Sequence, residues 1–380
     1  MNSRIPNFYK LNPQQRVDEI TRSLKITKEE WEKLHEKGLT LEEADKMIEN
    51  VIGIMPVPLG VAANFKIDGK DVFIPMATEE PSVVAAASHA AKLAYDQGGF
   101  YTSSTGSVMR GQIQIIHVKK PYYTMAKIYE NKDLILQVCN QQDETLVALG
   151  GGAIDVKVDV LSELNMLIIH VFVDTKDAMG ANVVNTMLEN VTPTIEAITE
   201  EEVGIRIISN LADRRIVRAT ATFHNYLSEI NTQKFIQAYE LAKFDPYRAA
   251  THNKGIMNGI SAVALATGND TRAIEAGAHA FAARSGHYKT LSHWEIDKNN
   301  NIVGTIELPL AVGIIGGATM SNPVAKLSIK MMRISHAEQL AKIMAATGLA
   351  QNFAALSALV TEGIQKGHMK LHARKFSKDG

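Results

Sequence analysis

The chain has 380 residues, 46% of them hydrophobic and 21% charged, the composition of a folded protein long enough for two or three domains, and this excludes disorder. Forty Lys and Arg against 41 Asp and Glu leave a formal net charge of -1, without the basic excess of a nucleic-acid binder, so small-molecule chemistry is the expectation. The single cysteine, Cys139, can form no internal disulfide and no cysteine-rich zinc site, which suits a reducing cytoplasm; no signal-peptide core follows Met1. The most apolar run, Leu308 to Met320, is too short to cross a bilayer and is interrupted by Pro309 and three glycines.

The first fifty residues read as short solvated helices. Asn12-Pro13 is a cap followed by a first-turn proline, and Thr27-x-x-Glu30 and Thr40-x-x-Glu43 match the capping box. Strand-like Val61 to Ile67 and Val72 to Ile74 flank Asp68-Gly69, a hairpin dipeptide. A helix rich in Ala and Ser is predicted from Pro81 to about Gln97, ending at Gly98-Gly99. Alternation then predicts strands over Gln112 to Val118, Ile154 to Val160, Leu167 to Val173 and Arg214 to Phe223, with helices over roughly Tyr122 to Gln141 and Gly180 to Thr199. Strand, helix, two strands, helix and one or two more strands is the order of a ferredoxin-like split βαβ unit, and residues 107–210 read as an insertion. Helices follow at about Thr232 to Lys243, Lys254 to Thr267 and Thr271 to Ala283. A hairpin around Asn299 to Asn301 and two terminal helices between His336 and Gln365 complete the chain. There is no convincing internal repeat.

The standard nucleotide cradles, G-x-G-x-x-G after a strand and Walker A, are absent. Gly150-Gly151-Gly152 alone reads as a turn between helix and strand. Asp177-Ala178-Met179-Gly180-Ala181-Asn182 follows a strand and opens a helix, where free N–H groups suit a phosphate; an aspartate N-cap with a glycine turn reads equally well. In Thr78-Glu79-Glu80-Pro81-Ser82, acidic residues before a helix can simply complement its dipole. The run Asp245 to Gly259 is harder to treat as packing, because it crowds Arg248, His252, Asn253, Lys254 and Asn258 at the mouth of a helix. An antiparallel return at Gly268-Asn269-Asp270 is expected to carry Asp270 back towards Lys254. His368 and His372 are spaced as a metal pair on a helix, but without an H-E-x-x-H pattern; one general-acid histidine in a basic segment is the stronger functional reading, and no metal is expected.

Taken jointly, Glu49-Asn50-Val51-Ile52-Gly53, Thr78 to Ser82, Asp177 to Asn182, Asp245 to Gly259, Gly268 to Asp270 and Gly367-His368-Met369 resemble, in order and spacing, the 3-hydroxy-3-methylglutaryl-coenzyme A (HMG-CoA) reductases in their soluble class II form. The resemblance covers nearly the whole chain. It implies an α+β fold: a large, mainly helical substrate-binding and dimerisation domain (1–106 and 211–366), a small ferredoxin-like, non-Rossmann NAD(P)-binding domain (107–210), and the start of a C-terminal flap (367–380), which family members continue further.

The implied reaction is reduction of HMG-CoA to mevalonate and CoA by two nicotinamide hydrides, the mevalonate-pathway step of isoprenoid synthesis, by a cytoplasmic homodimer or assembly of dimers with shared active sites. No nucleic-acid or membrane partner is expected. Lys254 matches the oxyanion cation, Glu80 the proton donor, Asp270 the aspartate coupled to both, and His368 the acid for the departing thiolate. Ser82, Arg248 and Asn258 match groups that hold the HMG moiety, and Asp177, Met179, Gly180 and Asn182 the nucleotide-binding stretch. Asp143 aligns with the ribose reader, so NADH is expected over NADPH. The same active site working physiologically as a mevalonate oxidase, and a catalytically silent CoA- or nucleotide-binding protein, are the competing readings.

Overall fold

Ten strands form two sheets in the computed structural model, which describes residues 2–27, 29, 31, 39–224, 226–361 and 363. The Asn12 cap precedes α1 (Pro13–Leu24), and the Thr40 cap precedes α2 (Leu41–Asp45). Each exchanges reciprocal bonds with Gln15 or Glu43, as the capping boxes predict; the Thr27–Glu30 box lies outside the described residues. Asp68 and Gly69, both at positive φ (47° and 77°), turn β1 (Leu59–Ile67) into β2 (Lys70–Ala77). Small side chains let α3 (Val83–Tyr95) lie close on this hairpin, with Ala87, Ala90, Ala91 and Ala94 buried. Left-handed Gly98 and Gly99 then lead into β3 (Phe100–Ser104).

The next unit runs through β4 (Val108–Ile116), α4 (Pro121–Glu130), α5 (Lys132–Asn140), α6 (Glu144–Ala148), β5 (Gly152–Leu161), β6 (Met166–Asp174), α7 (Ala181–Thr199) and β7 (Glu202–Ser209). Its antiparallel sheet has the order β5-β6-β4-β7, the split βαβ arrangement that the strand spacing anticipates. One face is closed by α4, α5 and α7 over a core that includes Ile113, Ile169, Val184 and Leu188. The helix predicted over Tyr122 to Gln141 is divided at Asn131, whose side chain donates to Lys127 O (2.8 Å).

The chain returns through β8 (Ile216–Phe223), α8 (Glu229–Phe244), α9 (Pro246–Ala266), α10 (Thr271–Ala282), β9 (Ser292–Ile296), β10 (Ile302–Pro309), α11 (Gly317–Ser321), α12 (Pro323–Met332) and α13 (Ala337–Val360). A six-stranded sheet of order β2-β1-β3-β8-β10-β9 runs through this larger region, with the helices packed around it. α9 begins eight residues before the predicted Lys254, because Asp245 caps it by accepting from Arg248 N and Pro246 fills the first turn.

The two terminal helices expected from the sequence are one. α13 is the one helix among the described residues that is long and apolar enough to cross a membrane by length and composition, a rank the sequence reading gave to Leu308–Met320, and 72% of its apolar window is buried inside the fold. It is the core helix of the larger region: Phe353 stacks on Phe223 (centroids 3.6 Å apart) and packs against Phe235 and Trp294.

Candidate active site

Lys254 and Asn258, four residues apart, share a face of α9. Both reach Glu80, on the loop between β2 and α3: Lys254 Nζ lies 2.8 Å from Oε2 and Asn258 Nδ2 donates to Oε1 at 3.4 Å. The ion pair is open to solvent, with side-chain exposures of 61% and 36%, so as a surface contact it contributes about 0–1 kcal/mol to stability. Ser82, two residues beyond Glu80, is the N-cap of α3 in a left-handed conformation (φ 78°) that non-glycine residues adopt at a cost of ~1–3 kcal/mol, and its hydroxyl does not cap the helix. Arg248 lies about 9 Å from Lys254 along the axis of α9. Its half-buried guanidinium makes no ion pair among the described residues, and burial lowers its pKa, the condition of a cation prepared for an anion.

Beneath this cluster the polar crowding of Asp245 to Gly259 divides into two faces. Asn253 is fully buried: it donates to Tyr288 Oη and Lys289 O and accepts from Leu291 N (2.9, 2.9 and 3.0 Å). His252 Nε2 lies 2.7 Å from Ser292 Oγ. The indole N–H of Trp294 is a donor only, so the Asn352 atom facing it is Oδ1; that oxygen also takes the Ser292 hydroxyl proton, which leaves Ser292 to accept from His252 Nε2–H. Nδ1 is then a buried acceptor with no partner among the described residues. Burial, aided by the Arg248 cation, pushes His252 down to about 3. His252 and Asn253 are thus the anchors that turn Lys254 outward. Their neighbours Ser292, Trp294 and Asn352 carry no sequence signal, since they come from two other elements.

The stretch Asp177 to Asn182, which the sequence marks as a candidate nucleotide site, forms at the end of β6. α7 opens on Gly180 (φ 109°) with no side-chain cap, leaving first-turn N–H groups unclaimed by side chains. A Cβ at Gly180 would fall 2.6 Å from Thr175 Cγ2, so only glycine fits. Asp177 does not cap this helix. Its carboxylate instead accepts from Ala337 N (2.7 Å) and meets His336 Nδ1 (3.2 Å), capping α13 across the molecule. Met179 O accepts from buried Arg215, and Asn182 is exposed on the first turn of α7. Asp143 caps α6 through Oδ1, which accepts from Leu146 N (2.8 Å). The Gly150–Gly152 turn after α6 reaches Lys176, which is paired with Asp174 at 2.9 Å.

Asp270 departs from the sequence expectation. It caps α10, accepting from Arg272 N and Ala273 N, and pairs with Arg272 (3.2 Å), and it has no contact with Lys254 or Glu80. The reason is the length of α9: from Lys254 to its end at Ala266 the helix rises about 18 Å, and the return into α10 does not double back that far. Its neighbour Asn269 accepts from Gly313 N (2.8 Å), on the segment that packs against Met179, so Asp270 lies towards the Asp177–Asn182 stretch. His368, with the His368–His372 pair, lies outside the described residues. Among the described residues no group of three His, Cys, Asp or Glu side chains gathers to hold a metal.

A helical region around one sheet, with an inserted split βαβ unit that presents an uncapped helix N-terminus, is an α+β architecture of two parts. The family model of hydroxymethylglutaryl-coenzyme A reductase matches residues 12–373. A 3-hydroxy-3-methylglutaryl-coenzyme A reductase of Archaeoglobus fulgidus is 54% identical over 99% of this chain and 87% of its own length. A probable one of Borreliella burgdorferi is 38% identical over 87% of this chain and 77% of its own. The class II reductase of Streptococcus pneumoniae, solved with NADPH in open conformations, superposes with a TM-score of 0.91 at 39% identity, over 94% of this chain and 99% of that one. The chain belongs to the hydroxymethylglutaryl-coenzyme A reductase family, in its class II form.

His252 supplies a pH test of the scaffold. Its folded pKa, about 3, lies below the ordinary 6.5, so the unfolded chain binds the extra proton. The stabilisation is present above the unfolded value and is lost as pH falls towards the folded one, by about 1.4 kcal/mol per pH unit. Urea unfolding at pH 7 and pH 5 should show a steeper loss for the native chain than for His252→Gln, and equal slopes would place the acid sensitivity elsewhere.

Proposed function

We propose that this chain reduces HMG-CoA to mevalonate and free CoA by two successive hydride transfers. The observation that carries this reading is the Glu80–Lys254 pair at 2.8 Å, held on a helix whose buried side is locked by His252 and Asn253. A silent binding protein would have no use for an exposed acid and cation so firmly aimed.

Nicotinamide nucleotide, when bound, supplies the hydride for each reduction. The rest is the work of the chain. Hydride addition to the thioester carbonyl places charge on oxygen, and Lys254 Nζ is the cation that receives it. Glu80, positioned by Lys254 and Asn258 and protonated from solvent, delivers its proton to that oxygen, takes it back as the hemithioacetal expels CoA, and delivers it again to the aldehyde oxygen in the second reduction. His368 protonates the departing CoA thiolate in this reading. The guanidinium of Arg248, which makes no ion pair among the described residues, takes the free carboxylate of the HMG moiety, and Ser82 and Asn258 complete the substrate-binding set.

The 107–210 unit is the nucleotide-binding domain in this reading. The uncapped N-terminus of α7 and the tight Gly180 turn fit a pyrophosphate, held by the stretch Asp177 to Asn182. Asp143 keeps Oδ2 for a ribose 2'-hydroxyl, and Lys176, beside Gly150, is already engaged by Asp174, so a 2'-phosphate would meet the Asp143 carboxylate. NADH is therefore the proposed donor.

The active site needs two chains. A hydride acceptor must lie within about 3–3.5 Å of its donor, and the roughly 18 Å of α9 between Lys254 and its end separates the charged cluster from Asp270 and the nucleotide loop within one protomer. A homodimer in which the nucleotide end of one protomer faces Lys254 of its partner closes that gap. The exposed arm carrying Ile48, Ile52, Ile54 and Met55 offers it an apolar contact surface. Burial pushes the Cys139 thiol up to about 12, so it packs and does not react, in keeping with a cytoplasmic enzyme.

Adding HMG-CoA to the protein with NADH should consume nicotinamide absorbance. Lys254→Ala should lower kcat by roughly a hundredfold or more, with both the thioester and added mevaldehyde as substrates. Turnover near the native value with only weakened affinity would refute the oxyanion role. The ratio of kcat/KM for NADH to that for NADPH should exceed one and fall in Asp143→Ser, whereas an NADPH preference in the native enzyme would remove the ribose assignment.

A further inference from the structure

Arg215, one residue before β8, is 3% exposed, and among the described residues its guanidinium forms no ion pair. Three of its four acceptors are backbone carbonyls. Nη1 donates to Thr175 Oγ1 (3.1 Å), Ala178 O (3.1 Å) and Met179 O (3.2 Å), and Nη2 donates to Val312 O (2.6 Å). One planar fork thereby bridges the loop between β6 and α7 and the segment that follows β10. The same two segments meet again where Ile314 N donates to Asp177 O (3.0 Å) and where Gly313 packs so closely on Met179 that a Cβ would fall 2.7 Å from its nitrogen. Gly313 N in turn donates to Asn269, the residue before Asp270.

A trans peptide sets its C=O and N–H on opposite sides. Holding the carbonyls of Ala178 and Met179 against the guanidinium therefore turns the N–H groups of Met179 and Gly180 away from it, and fixes two peptide planes immediately before the uncapped start of α7. We infer that Arg215 is a positioning residue of the reductase: it locks the Asp177–Gly180 loop to the Val312–Ile314 segment, and so sets where a nicotinamide nucleotide lies relative to Asp270. This rests on the nucleotide-binding reading of that loop. Burial lowers Arg215 to about 10, which leaves it charged at neutral pH, and the nearby carboxylates of Asp174 and Asp177 support that charge. A lysine could keep the charge, but it has no planar fork with which to hold both segments.

The test is Arg215→Lys in the full chain, with nucleotide affinity measured directly by NADH fluorescence and KM values measured for nucleotide and HMG-CoA. Loss of the fork's charge-assisted bonds should weaken NADH binding and raise its KM by roughly tenfold or more, while KM for HMG-CoA stays within about twofold. A merely structural role would lower the folded fraction, hence kcat, and leave both KM values unchanged; that result, or parallel change in both, overturns the proposal. Should Arg215→Lys fail to fold, Thr175→Val removes one acceptor in the loop and should raise nucleotide KM in the same selective way, by roughly threefold, and an unchanged value would count against the lock. If the native chain binds NADH but does not reduce HMG-CoA, the reductase reading fails, and the ratio of NADH affinities still decides the role of Arg215. If it binds no nucleotide at all, both fail.

Discussion

The length of α9 is the constraint on which the active-site account turns. This helix presents Lys254 and Asn258 to Glu80 near its middle, and about 18 Å further on its end hands the chain to Asn269 and Asp270. Packing against α13, where Gly259 comes against Thr347 O, leaves α9 no freedom to bend the two ends together. The acid and cation that would manage charge at the substrate carbonyl are fixed at one place, and the groups that would hold a nucleotide at another. In the proposed reading, chemistry that needs both is assembled from two copies of the chain.

Each half is rigid in its own way. Under Lys254 the fixing elements are neutral and buried: His252 with its Nε2 proton committed to Ser292, Asn253 with three bonds to the 288–291 segment, and Asn352 serving Ser292 and Trp294 together. At the Asp177–Asn182 stretch the fixing groups are charged and bond mainly to backbone, Arg215 to carbonyls and Asp177 to the first N–H of α13. Beneath Lys254 the side chains that fix the helix bond to other partners than the Glu80–Lys254 pair. This division lets exposed residues such as Lys254, worth little to stability, hold a defined direction.

Local rules made much of this legible in the sequence. Alternation in Ile154 to Val160, the Asp68-Gly69 turn and the Asn12 and Thr40 caps depend on a few neighbouring residues, and the split βαβ order follows from strand and helix spacing. The cluster around Lys254 also stood out, because polar residues are costly at the mouth of an apolar helix. What could not be read depends on distant partners. The Asp270 position requires the length of α9 and the course of the return. The anchoring role of His252 requires Ser292, and nothing in Arg214-Arg215 tells which arginine turns inward to Val312. The continuity of α13 leaves no mark in the sequence, because beyond its first turns the helix is buried on nearly every side and no amphipathic period runs through it.

The composite site can be tested by mixing two inactive chains. Lys254→Ala and Asp270→Asn should each abolish HMG-CoA reduction alone. Unfolded and refolded together in equal amounts, they should form mixed dimers in which one of the two sites receives its Lys254 from one chain and its Asp270 from the other, restoring about one quarter of native activity. Recovery at that level, with the separate variants remaining inactive, is the result this account predicts. No recovery from a mixture shown to contain mixed dimers would mean that Lys254 and Asp270 serve the same site from a single chain, and would contradict it.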